Sequence, residues 1–228
     1  MFLSRLMLNL RHKRTQSELA RPYELHRTVM SAFPAVLPAE ERVLFRPELD
    51  ERLGTLRVIV QSQTEPDWRR LLAVPGYLQC SPESKTVALA LSAGQVLAFR
   101  LRANPTTKKD SHQRPDDHRE YPNGVRLGIA DEDGQRRWLD RKGEQHGFRV
   151  LQVQVRPQGL QRSYKSEQQA GGQPRVYAMS HLAVQFDGLL QVTDPQLFGL
   201  AVHDGIGSAK SLGFGLLSLA PPQLAYDR

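Results

Sequence analysis

Tyr23 and His26 stand three residues apart in the run Arg21-Pro22-Tyr23-Glu24-Leu25-His26-Arg27. Pro22 suits the first turn of a helix. Leu25, Val29 and Phe33 recur at helical spacing until Pro34 stops it. Side chains three apart on a helix share a face. An imidazole, with an ordinary pKa of about 6.5, takes or gives a proton near neutrality. A phenol beside it can donate a hydrogen bond to a phosphate oxygen or orient an attacking hydroxyl. The same pair also reads as a half-buried polar contact with no chemistry, and the residues alone leave both readings open.

A second candidate is the glycine-rich stretch 205–215. Backbone N–H groups at Gly205, Gly207, Gly213 and Gly215 can approach a phosphate closely, with Lys210 adding charge. The spacing is not that of a P-loop, and the same glycines would serve a tight turn into a strand at 216–219. In the stretch 156–175, Arg156, Arg162, Lys165 and Arg175 stand against one acid, Glu167. Such a segment suits insertion along a phosphate backbone, and a solvated loop has the same composition. His112, His118, His146 and His203 lie in polar contexts and read as surface groups. His12 sits in a basic turn and His181 on a strand. No HExxH motif or carboxylate cluster has metal-ligand spacing, so no metal and no cofactor are expected. The lone cysteine, Cys80, excludes an internal disulfide framework.

The chain has 228 residues, 39% hydrophobic and 24% charged, enough for one large or two small folded domains. With 31 Lys and Arg against 24 Asp and Glu, the net charge of +7 favours a polyanionic partner, nucleic acid before an anionic membrane. No apolar run approaches the roughly 18–20 residues that span a bilayer. The apolar N-terminus carries its positive charge after the apolar stretch, the reverse of a secretory signal. A cytoplasmic protein is expected.

These residues need elements to hold them. Alternation predicts a strand over 2–10, and the helix over 22–33 follows. A weak strand near 42–46, a β-branched strand over 56–62, a helix opening at Pro66-Asp67-Trp68 and an alternating strand over 96–102 complete a β-α-β-β-α-β order. Residues 106–119 are polar and read as a linker. The second half repeats the plan. Strands are predicted over 125–129 and 148–155, with a helix over 135–145 between them. Asp187-Gly188 reads as a two-residue hairpin turn between strands 176–186 and 189–192. Asp194-Pro195 opens a helix to about 203. The expected fold is α+β, two tandem ferredoxin-like (RRM-like) domains over 1–105 and 120–228.

Four segments, in order along the chain, resemble the CasE family, the CRISPR-associated endoribonuclease subunit of type I-E Cascade. They are Phe2-Leu3-Ser4-Arg5, Tyr23-Glu24-Leu25-His26, the run Phe99 to Pro105, and the stretch Gly205-Ile206-Gly207-Ser208-Ala209-Lys210-Ser211-Leu212-Gly213-Phe214-Gly215 with its continuation to Pro221. The resemblance implies metal-independent cleavage of the CRISPR repeat transcript beside a stem-loop. It implies retention of the hairpin end and assembly with other Cascade subunits. No membrane is involved, and the isolated protein is expected to be a monomer. It makes His26 the catalytic histidine and Tyr23 its partner. Arg27, Arg102, Arg162, Lys165, Gly205, Gly207, Lys210, Gly213 and Gly215 are then the expected RNA contacts. Some relatives carry a base five residues after the histidine, where this chain has Ser31. For such an enzyme the RNA 2′-hydroxyl is the nucleophile, so the products are a 5′-hydroxyl and a 2′,3′-cyclic phosphate. His26 would perform one of the two proton transfers, as base or as acid. The alternative is a non-catalytic RNA-hairpin-binding module of the same fold. Such modules stack bases on sheet aromatics, and only 7% of this chain is aromatic.

Overall fold

The computed structural model describes residues 1–109, 125–167 and 175–222, with the backbone alone at 109, 125, 164–167 and 175–179. In β1 (Phe2–Asn9), Ser4, Leu6 and Leu8 point to one face and are buried. The strand lies between β3 (Thr55–Ser62) and β4 (Glu83–Thr86), with Leu6 opposite Val58 and Ser4 opposite Ser84. With β2 (Leu44–Asp50) at the far edge, the antiparallel order is β2-β3-β1-β4. Three helices join these strands: α1 (Lys13–Ala20), α2 (Pro22–Met30) and the single turn α3 (Arg69–Leu72). Leu25 and Val29 of α2 meet Leu6, Leu8, Phe45 and Val58 in the first core. Each such side chain contributes about 1.5–3 kcal/mol on burial.

The second sheet has the order β8-β9-β5-β10, from β5 (Val96–Ala103), β8 (Phe148–Glu167), β9 (Arg175–Val192) and β10 (Leu217–Ala220). Helices α4 (Glu132–Gln145) and α5 (Pro195–Asp204) close its core around Phe99, Trp138, Phe186 and Phe198. The Asp194 carboxylate accepts from the N–H groups of Gln196 and Leu197 at 2.9 and 3.0 Å, the cap expected of Asp-Pro. In each sheet the first strand of its unit lies between the third and the fourth, the β-α-β-β-α-β order of a ferredoxin-like unit. The α+β reading with two such units therefore holds. A small ribbon, β6 (Thr106–Lys109) with β7 (Val125–Gly128), is inserted after β5.

Four local expectations are corrected. The strand over 96–102 opens the second unit and does not close the first. Its Leu97, Phe99 and Leu101 pack into the second core, and β5 pairs with β9 and β10. The closing strand of the first sheet is β4, whose four residues are all exposed and so carry no alternation to read. The strand over 125–129 pairs with β6 in the ribbon, outside both main sheets. Asp187-Gly188 is not a turn but lies within β9. A Cβ at position 188 would collide with the carbonyl oxygen of Gln152, next to a bulge in β8, and Asp187 pairs with Arg100 at 2.6 Å. Here glycine permits close approach rather than reversal. Finally, the basic turn expected around His12 gives way to α1. The helix is anchored by Glu18, 2% exposed, whose carboxylate accepts from Arg14, Thr28 and Tyr77 at 2.9, 2.5 and 2.6 Å.

The two units meet along β2. Arg46, 3% exposed, pairs with Glu48 at 2.8 Å and donates to the carbonyls of Arg100 and Leu216. The Gln61 amide donates to the Val202 carbonyl at 2.7 Å. These bonds tie the first sheet to β5, α5 and the end of the glycine-rich stretch.

Candidate active site

On α2, Leu25, Thr28 and Val29 are buried, which turns Tyr23 and His26 toward the open side. Tyr23 is 51% exposed, and its ring lies 5.8 Å from that of His26, centroid to centroid, at 41°. The expected shared face is therefore present. His26 is half-buried, with its ring over Phe45, 6.1 Å away and 19° from parallel. Burial pushes its pKa below the ordinary imidazole value. The ring is thus held neutral at neutral pH and can accept a proton. Phe45 was not legible as part of the site, because it lies 19 positions away on a weakly patterned strand.

Arg27 is exposed and pairs with Glu24 at 3.3 Å. Ser31, at the position where some relatives carry a base, donates its hydroxyl to the Thr28 carbonyl at 2.7 Å.

The glycine-rich loop lies directly against this site. Gly205, Gly213 and Gly215 are buried, and Gly207 is half-buried. Gly213 has φ of +82°, and a Cβ there would stand 2.7 Å from Pro47 Cδ and 3.1 Å from the Phe45 ring. The loop can approach the surface beneath His26 only without a side chain at that point. A Cβ at Gly205 would meet Leu44 at 2.8 Å. The Gly215 N–H donates to the Arg102 carbonyl and the Ile206 N–H to the Gly215 carbonyl, at 2.8 and 2.9 Å. Buried in this way, Gly205, Gly213 and Gly215 shape the loop, and Gly205, Gly207 and Lys210 line a pocket on its outer side.

Arg102 is 9% exposed. Its guanidinium donates to Gln158 and Gln161 side chains at 2.8 and 2.6 Å and to the Gly213 carbonyl at 3.2 Å. It stacks over Phe214 at 4.3 Å, and burial draws its pKa down to about 10. Arg102 therefore joins the β8 hairpin to the loop. Arg162 is exposed on β8 opposite Ser180. Lys165 is on the same strand opposite Tyr177, and its side chain lies outside the described residues. Glu167 and Arg175 close the described hairpin.

A cleft of about 700 Å³ runs between the units, from Pro22 and Leu25 of α2 past Arg57 and Arg100 to Arg156 on β8. Of the remaining histidines, His12 caps α1 by accepting from the Arg14 N–H at 3.2 Å. His181 lies between Asn104 and Ser163, and His203 contacts Asp204. His146, expected on the surface, is half-buried at the end of α4. His112 and His118 lie outside the described residues, as does most of the predicted linker. Among the described residues, no group of three or more His, Cys, Asp or Glu side chains is placed to hold a metal ion. Nor is any described helix long and apolar enough to cross a membrane.

A neutral histidine beside an exposed tyrosine, on a helix whose Pro22 and Leu25 border a cleft between two ferredoxin-like units, is an arrangement suited to proton transfer on a bound substrate. The family model described as "CRISPR associated protein" matches residues 1–221, and the chain belongs to that family. The CRISPR-associated endoribonuclease Cse3 of Thermus thermophilus is 36% identical over 225 residues, covering 97% of this chain and 100% of its own length. The CRISPR system Cascade subunit CasE of Escherichia coli K12 is 32% identical over 200 residues, covering 87% and 92%. Thermus thermophilus Cse3 bound to an RNA representing a pre-cleavage complex superposes with a TM-score of 0.75 at 33% identity, covering 96% of this chain and 98% of that one.

Proposed function

We propose that the protein is an endoribonuclease that cuts CRISPR precursor RNA at the repeat stem-loop and keeps the hairpin as a Cascade subunit. It works in the cytoplasm. The observation that carries the reading is the pair of Tyr23 and His26 on the open face of α2, with the imidazole, seated over Phe45, kept neutral by burial. Near-full-length similarity to Cse3 and CasE supports it.

RNA brings its own nucleophile, so the enzyme has three tasks: to align the 2′-oxygen with the P–O5′ bond, to remove its proton, and to help the 5′-oxygen leave. A histidine neutral at working pH is equipped for the second, taking the 2′-hydroxyl proton at a ring nitrogen. The exposed Tyr23 hydroxyl orients the 2′-hydroxyl or donates to a phosphate oxygen. Lys210 lies across the loop and adds positive potential. The stem runs along the cleft and β8, where Arg162 and Lys165 with Arg27 of α2 neutralise phosphates. Gly207 faces the RNA, whereas Gly205, Gly213, Gly215 and Arg102 act by holding the loop. We place the division between the units at 87–95, where the chain passes from β4 to β5.

The test is cleavage of a repeat hairpin with and without a 2′-deoxy nucleotide at the cut site, in EDTA. The intact substrate should yield a 5′-hydroxyl and a 2′,3′-cyclic phosphate, and the deoxy substrate should stay whole. Normal cutting of the deoxy hairpin, or loss of activity in EDTA, would refute internal attack. Binding without cleavage would leave the non-catalytic module as the function.

A further inference from the structure

The glycine-rich loop has a second side. Gly213 lies against Phe45 beneath His26, whereas Gly207 and Lys210 face a pocket also lined by Lys108 of β6, Arg126 of β7, and Lys142 and His146 at the end of α4. Trp138 forms part of its wall, and a Cβ at Gly207 would stand 3.3 Å from that ring. The other polar side chains at the pocket are Asn104, Thr106 and Ser208, and among the described residues no carboxylate lines it. Lys142 donates to a neutral acceptor, the Gln145 side-chain oxygen, at 2.8 Å.

The electrostatics fit this geometry. Burial draws the Lys142 pKa down, and the charges of Arg141 and Arg126 add to it. Burial does the same to Lys210, with Arg42 and Lys142 reinforcing the shift and Asp204 opposing it. His146 is pushed down by burial and then by Lys142 and Lys210, again against Asp204. Four chain segments thus bring like charges together in a partly desolvated hollow, an arrangement that a bound anion would complete.

We infer that this pocket binds a backbone phosphate of the RNA, anchoring the strand on the far side of the loop from His26. The inference rests on the RNA-cleaving reading above and extends it. One continuous loop would then touch two parts of the same substrate. A phosphate seated against Lys210 would fix the loop that lies on Phe45, and with it the site.

The experiment measures binding of a 2′-deoxy-blocked repeat hairpin with flanking nucleotides to the full chain across a salt series. The double variant Arg126→Gln, Lys142→Met should bind about tenfold more weakly, and its log–log salt slope should be shallower by about one to two. A matched variant, Arg52→Gln with Arg149→Gln, removes the same charge from exposed positions elsewhere and should keep the wild-type slope. Equal loss in both pairs, or loss in neither, overturns the proposal. A second readout uses the unaltered protein: the His146 ring should titrate at higher pH once the hairpin is added. No shift with RNA overturns the inference, and a shift with inorganic phosphate but not with RNA would mark a site for a free anion. Failure of the cleavage reading itself would show separately, as a wild-type protein that neither binds nor cuts the hairpin.

Discussion

The His26 ring lies over the Phe45 ring, 6.1 Å away and 19° from parallel, and the same Phe45 ring would lie 3.1 Å from a Cβ at Gly213. One aromatic side chain therefore connects the histidine of the first unit to the glycine-rich loop of the second. Perturbing any of the three should be felt by the others.

Activity should depend on pH in a way set by His26. Burial favours the neutral ring, so its pKa lies below the ordinary imidazole value. If the neutral form is the working base, the single-turnover kcat/KM rises with pH through that depressed pKa and is already half-maximal below pH 6.5. A rate that instead falls as pH rises through that region would assign the ring as the acid. His26→Ala should slow cleavage by roughly 10²-fold or more, with hairpin affinity little changed. Tyr23→Phe should lower the rate less. The same burial makes folding stability fall on acidification, because the unfolded chain binds the proton more readily. The contribution is present above pH 6.5 and lost as pH drops through the folded pKa. Urea titrations at several pH values would show a midpoint that declines below pH 6.5, and a flat profile would contradict the assignment.

Gly213→Ala tests the link through Phe45. A side chain at φ of +82° is strained, and the new Cβ would press on Pro47 and Phe45. Stability should drop by more than about 1 kcal/mol. The cleavage rate at saturating enzyme should fall as well, because the surface beneath His26 shifts. Thermal melting and single-turnover kinetics on one preparation measure both. Unchanged kinetics would show that the loop and the histidine are independent.

Arg102 and Arg162 should behave in opposite ways. Arg102→Ala leaves the buried Gly213 carbonyl and the half-buried Gln161 without their donor, at about 1–3 kcal/mol for each group left unsatisfied, whereas the exposed Gln158 can turn to water. Its signature is a lowered melting temperature. Arg162→Ala with Lys165→Ala should leave melting unchanged, weaken hairpin binding and flatten its salt dependence. Loss of affinity without loss of stability in Arg102→Ala would return that residue to the RNA surface.

Glu18→Ala should be among the more damaging changes in the first unit. It would remove the shared acceptor of Arg14, Thr28 and the fully buried Tyr77. Burial first, and then the Glu18 carboxylate, hold the Tyr77 phenol pKa far above its usual value. Leaving the buried Thr28 and Tyr77 hydroxyls without their acceptor should cost about 1–3 kcal/mol for each and loosen the packing of α1 against α2. Tyr77→Phe, which removes one donor, should cost about 1–2 kcal/mol. Chemical denaturation of both variants gives the comparison, and equal losses would refute the hub role of Glu18.

Local periodicity was enough to set some features. Pro22 and the spacing of Leu25 and Val29 determine a helix that carries Tyr23 and His26 on one face, because a helix repeats every 3.6 residues whatever surrounds it. The alternation in β1 and β5 and the Asp194-Pro195 start of α5 are local in the same sense. Partner choice is not local, and there only the tertiary structure decides. Strand 96–103 satisfies either sheet by its own pattern, and the complementary side chains Phe186 and Phe198, about a hundred residues away, draw it into the second. Asp187-Gly188 has the composition of a turn, yet Arg100 and the backbone of Gln152 hold it extended. Arg102 reads as a free charge and is buried, because Gln158, Gln161 and Gly213 converge on it from distant segments. Burial and hydrogen-bond satisfaction depend on which chain segments meet, and that is the free energy a linear pattern does not contain.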